Sequence, residues 1–155
     1  MDFQTIVVAT DFSESSLAAL ETAYDLALQG GHTLHLVHVM EPHLVTGDPT
    51  AMLHPSVEKT YQEARERLDA LIPEDWFDEE QAKTLVVKSS VLTASSPAQA
   101  ISRFAQGKNA DLIIVGTHGR KGLTRMLMGS TAESLLRRSP CPVLVVKHKA
   151  VATAA

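Results

Sequence analysis

Five short runs rich in β-branched residues recur along the chain, at Thr5 to Ala9, Thr33 to Met40, Thr84 to Lys88, Asp111 to Val115 and Val143 to Lys147, and a helical pattern separates each from the next. Parallel neighbours in a sheet need a crossover, and the crossover helix must bury its apolar stripe. Strand and helix in strict turn therefore predict an α/β domain, a mostly parallel sheet with helices on both faces. The first helical stretch sets Leu17, Leu20, Tyr24, Ala27 and Leu28 on one side and stops at Gly30 and Gly31. The second aligns Val57, Tyr61, Ala64, Leu68 and Leu71 and stops before Pro73. The third opens with Pro97, carries Ile101, Phe104 and Ala105, and ends at Gly107, while the fourth runs from about Ser130 to Arg138 before Pro140.

At 155 residues, 45% of them apolar, the chain can bury one sizeable core and has little length left for a second. One domain is expected over 1–147, with a frayed tail over 148–155. A formal charge of −4 argues against general attraction to nucleic acid or an anionic membrane. The single cysteine, Cys141, cannot form an internal disulfide, and the start Met1-Asp2-Phe3-Gln4 lacks the basic and apolar stretches of a secretory signal. The apolar runs Leu112 to Val115 and Val143 to Val146 are too short to span a bilayer. A reducing, cytoplasmic setting is the expectation. Glu41 to Ser56, with Pro42, Gly47, Pro49 and Pro55, reads as a surface connector or a lid. Glu74 to Glu80, acidic around Trp76 and Phe77, reads as a solvated segment or a partner site.

In open parallel sheets, ligands sit beyond the carboxyl ends of the strands where the winding direction reverses, which directs attention to the segments after the first and fourth strands. The fourth is followed by Gly116-Thr117-His118-Gly119-Arg120-Lys121-Gly122, then Leu123 to Met128, then Gly129-Ser130-Thr131 at a helix start. Glycines let backbone N–H groups approach an anion, and a helix N-terminus adds unpaired donors and a favourable dipole. Ser130 and Thr131 add hydroxyls, and Arg120, Lys121 and Arg125 add positive charge. The segment suits a triphosphate; the plainer alternative is a turn whose bases are solvated. A Walker loop needs Lys then Ser or Thr directly after its second glycine, and a dinucleotide fingerprint needs glycine where this chain has His118, so neither fits.

The spacing of Gly116, Gly119, Gly129 and Ser130 resembles the signature of the ATP-binding branch of the universal stress protein family: glycine, two residues, glycine, nine residues, glycine, then serine or threonine. The likeness extends to Ile6-Val7-Val8-Ala9-Thr10-Asp11-Phe12-Ser13 at the start and to Ser139-Pro140-Cys141-Pro142 with Val143 to Val146 at the end. It implies a five-stranded parallel sheet in the order 3-2-1-4-5. It also implies adenosine beside Ala9, Thr10, Asp11 and Val39, and phosphates on Gly116, Gly119, Arg120, Gly129, Ser130 and Thr131. ATP with Mg2+ or Mn2+ is the implied ligand, and pairing of two copies through the last strand the implied assembly. Read alone, Asp11 suits a helix cap as well as a ligand contact.

The function expected is an ATP-binding regulatory or adaptor protein in stress response, with slow hydrolysis at most, since no nucleophile and base stand at a committing spacing. Alternatives are the same fold acting as an interaction protein without ATP, and RNA binding through Gly119-Arg120-Lys121-Gly122 as a GxxG loop. That loop joins two helices in RNA-binding domains, whereas here it follows a strand. A synthetase of the related nucleotide-binding sheets would carry a Ser-Gly-Gly segment where this chain has Thr10-Asp11-Phe12-Ser13. His35 and His38, three apart on a strand, should face opposite ways and form no metal pair.

Overall fold

The computed structural model describes residues 3–30, 33–42, 55–72, 84–118 and 128–148. Among these, five strands alternate with four helices: β1 (Thr5–Ala9), α1 (Glu14–Leu28), β2 (Thr33–Met40), α2 (Pro55–Asp69), β3 (Val86–Thr93), α3 (Pro97–Gly107), β4 (Leu112–Gly116), α4 (Ser130–Arg138) and β5 (Val143–Val146). All the pairings are parallel and the sheet order is β3-β2-β1-β4-β5. The chain winds outward from β1 to one edge and then restarts at β4 on the other side of β1. The switch point lies between β1 and β4.

Alternation along the buried strands divides the apolar residues between two cores. Ile6, Val8, Leu34, Leu36, Leu112 and Ile114 face α1 and Leu68 of α2. Val7, Val37, Ile113 and Val115 face Ala98, Ile101 and Ala105 of α3 and Leu135 of α4. A strand buried on both sides has no polar face, which is why β1 and β4 read as continuous apolar runs. His35 and His38 do face opposite ways: His35 meets Phe104 of α3, while His38 meets Phe12 at the α1 end.

The helix starts follow local chemistry. Ser13 caps α1, accepting from the Ser16 N–H, and Pro97 stands in the first turn of α3. Helix α3 ends at Gly107, as expected. Gly107 is its last helical residue, and the residue beyond it that turns left-handed is Asn109, at φ 50°. The Asn109 N–H bonds to the Gln106 carbonyl and the Ala110 N–H to that of Ala105, the paired closure of a Schellman motif.

The third strand is displaced, from the expected Thr84 to Lys88 to Val86–Thr93. Lys88, Ser89 and Ser90 interrupt its apolar run, yet the ladder continues through them because β2 supplies partners from Thr33 to Met40. Strand β4 begins one residue later than expected and includes Gly116, and β5 ends at Val146 rather than Lys147. Asp111 precedes β4, and its Oδ2 accepts the Gln4 and Thr5 N–H groups at 2.9 Å each. Helix α2 begins at Pro55, inside the stretch expected as loop. The rest of that loop over 43–54, the acidic segment 74–80 and the tail from Lys149 lie outside the described residues.

Candidate functional site

The turn after β1 is fixed by hydrogen bonds from neighbouring elements. The Thr10 N–H donates to the Val37 carbonyl at 2.9 Å, extending the β1–β2 ladder by one rung. Its carbonyl accepts from His38 Nδ1 at 2.8 Å, and its hydroxyl lies 2.9 Å from Ser16 Oγ. That hydroxyl oxygen also accepts the Phe12 N–H at 3.0 Å, and Phe12 sits at φ 64°, a left-handed conformation that costs a side-chain-bearing residue about 1–2 kcal/mol. Asp11 holds the cap rather than being it: its Oδ1 accepts both the N–H and the hydroxyl of Ser13, and Ser13 caps the helix.

The turn after β4 is seated on the start of α1. A Cβ on Gly116 would fall 2.6 Å from Ser15 backbone atoms, so glycine allows β4 and α1 to approach. Beyond it, Ser15 Oγ lies 3.3 Å from Thr117 Oγ1 and accepts the His118 N–H at 3.3 Å. The Gly129 N–H donates to the Thr117 carbonyl, joining the start of α4 to the end of β4. Gly129 is the N-cap of α4 at φ −73°, and having no side chain it takes none of the first-turn N–H groups. Ser130 and Thr131, with their hydroxyls, belong to the same first turn.

Both turns open into one cleft of about 1000 Å³ over the carboxyl ends of the strands. Its walls include Ala9, Thr10, Asp11, Val39, Gly116, Gly129, Ser130 and Thr131, eight of the ten expected site residues. Gly119 and Arg120, with Lys121, Gly122 and Arg125, lie outside the described residues. His118 also lines the cleft. Among the described residues no three His, Cys, Asp or Glu side chains cluster as metal ligands.

Other walls were not anticipated. Ser95, Ser96 and Pro97 contribute the start of α3, and Thr60, Glu63, Ala64 and Arg67 contribute one face of α2. Spaced at 0, 3, 4 and 7, these four share one side of the helix, with Ala64 at the margin of its buried stripe, and nothing in the sequence marks that side as a cleft wall. The Arg67 guanidinium lies 4.0 Å from the Phe12 ring centroid, and on the Phe12 ring's account His38 follows at 4.5 Å.

The cleft thus lies at the switch point of a doubly wound α/β domain, walled by a glycine-bearing turn and a helix N-terminus, where open parallel sheets hold their ligands. The universal stress protein family model matches residues 2–147. This chain belongs to the universal stress protein family. It is 34% identical to universal stress protein A homolog 1 of Coxiella burnetii over 96% of this chain and 99% of that one. The solved structure of MJ0577, a universal stress protein of Methanocaldococcus jannaschii, superposes with a TM-score of 0.78 at 26% identity, covering 97% of this chain and 99% of that one. A universal stress protein solved in complex with cAMP superposes at 0.62 and 25% identity over 96% of this chain and all, 100%, of that one.

Proposed function

We propose that this chain binds ATP and acts as a nucleotide-dependent regulatory or adaptor protein in stress response, in the cytoplasm. The observation that carries the reading is convergence: residues from the ends of β1, β2 and β4 and the start of α4, far apart in sequence, line one cleft at the switch point. Adenosine would lie against Ala9, Thr10, Asp11 and Val39. The phosphates would take donors from Gly129, Ser130 and Thr131 beside Gly116, with Gly119 and Arg120 completing the cradle. That a family neighbour was solved in complex with cAMP supports a nucleotide as the ligand. Mg2+ or Mn2+ would arrive with the triphosphate and take most of its ligands from phosphate and water, with Asp11 the carboxylate of the β1 turn. The role is binding first, with hydrolysis far below the roughly 10 per second typical of enzymes.

The test is to denature the purified protein, identify any released nucleotide, and titrate emptied protein with ATP by calorimetry. Released adenine nucleotide, or saturable ATP binding at one site per chain, is expected. Protein that releases none and gives no heat with millimolar ATP would end the reading.

A further inference from the structure

The β1 turn is tied to β2 through Val37 and the side chain of His38. Every polar group of Thr10 is engaged, and two consecutive β2 residues take its backbone: the Val37 carbonyl accepts its N–H and His38 Nδ1 donates to its carbonyl. A carbonyl only accepts, so Nδ1 carries the proton in this structure. The His38 ring also lies against Phe12, whose backbone is left-handed, and the Arg67 guanidinium of α2 stands over the Phe12 ring as well. His38 is 8% exposed, yet it lines the cleft together with Phe12 and Arg67. Asp11 sits between the two residues that His38 touches, with its carboxylate already turned by Ser13.

From this we infer that His38 is a positioning residue for nucleoside recognition: its Nδ1–H and its ring face fix Thr10 and Phe12, and so set where Asp11 meets the ligand. The inference rests on reading the cleft as a nucleotide site. Its hydrogen bond to Thr10 and its ring contact with Phe12 both bear on the β1 turn, which assigns it to the nucleoside side of the cleft rather than to the phosphates. Loss of its hydrogen bond should therefore weaken ligands that carry a nucleoside and spare those that do not. Arg67 adds to the same column from the solvent side, coupling the loosely buried α2, where only Ala64 and Leu68 are buried, to the β1 turn.

The experiment titrates the intact chain with ATP and with inorganic tripolyphosphate, comparing the parent with His38→Leu and His38→Asn. Asparagine places an amide donor near Nδ1, whereas leucine fills the space without one. His38→Leu should weaken ATP about 10-fold, the size of one buried hydrogen bond, and leave tripolyphosphate unchanged. His38→Asn should recover ATP affinity to within about threefold of the parent. Phe12→Gly, tolerable at φ 64°, carries the test if His38→Leu does not fold, with the same loss confined to ATP expected. Unchanged ATP affinity in the folded variants overturns the inference alone. So does an equal loss for both ligands, or asparagine behaving like leucine. A parent that binds neither ligand overturns the nucleotide reading and this inference with it.

Discussion

Gly116 lies so close to Ser15 that a Cβ added to it would sit 2.6 Å from the Ser15 carbonyl carbon, its oxygen and its Oγ alike. The last residue of β4 is thus locked to the first turn of α1, and the two cleft-forming turns share one foundation. The Gly116 requirement is steric before it is a matter of ligand.

Gly116→Ala should consequently destabilise the fold, because two of the three atoms in its way belong to backbone. Strain of about 1–3 kcal/mol is expected, read as a fall in the urea midpoint with unchanged slope. Wild-type stability in this variant would show that β4 and α1 can separate at little cost.

Gly107→Ala should do the opposite. The glycine lies within α3, a Cβ there would meet nothing within 4 Å, and the left-handed stop is supplied by Asn109. Alanine should gain about 0.5–1 kcal/mol from helix propensity and reduced freedom of the unfolded chain. A loss measured by the same urea unfolding would mean that Gly107 takes part in the helix stop after all.

His35 is 5% exposed and its Nδ1 has no hydrogen-bond partner among the described residues. Burial first, then the Lys108 and Lys88 ammonium groups, hold its pKa below the ordinary imidazole value. In the unfolded chain it protonates near pH 6.5, while in the folded protein it resists. The stability it contributes is therefore present above about pH 6.5 and lost as the pH falls toward the depressed folded value. His35→Leu removes the orphaned nitrogen and should stabilise by about 1 kcal/mol at neutral pH, with the advantage widening below pH 6.5. A constant difference from pH 8 to pH 5 would contradict this.

The chain should form a homodimer. β5 is one edge of the sheet, its four residues Val143–Val146 are apolar and only half-buried, and an apolar edge invites pairing. Sedimentation should report twice 16.8 kDa. A strict monomer at micromolar concentration would count against it, and a charge placed at Val145 should shift a true dimer toward monomer.

The elements that were legible in the sequence were those with both a pattern and a stop. β1 and β2 carried runs rich in β-branched and other apolar residues, and α4 had Gly129 before it and Pro140 after it. β3 was misplaced because an edge strand needs no apolar residue at Ser89 or Ser90 when its neighbour supplies the ladder. The stop of α3 at Gly107 was legible, but only backbone dihedrals show that Asn109 is the residue that turns left-handed. At the site, the glycine spacing announced the β4 and α4 turns. The α2 stripe through Thr60 and Arg67 and the contact of His38 with Thr10 depend on tertiary packing, for which a single sequence carries no signal.

Calorimetric titration of ATP into Ser130→Ala beside the parent tests the central claim most directly. The substitution removes one hydroxyl from the first turn of α4, at a residue exposed in the cleft wall, so the fold should be untouched. If the triphosphate rests there, loss of a hydrogen bond to a charged acceptor should cost about 1.5–3 kcal/mol, raising the dissociation constant roughly 10- to 150-fold with circular dichroism unchanged. A variant that binds ATP as tightly as a parent that does bind it would contradict the account, leaving the start of α4 as a helix end and the phosphates elsewhere.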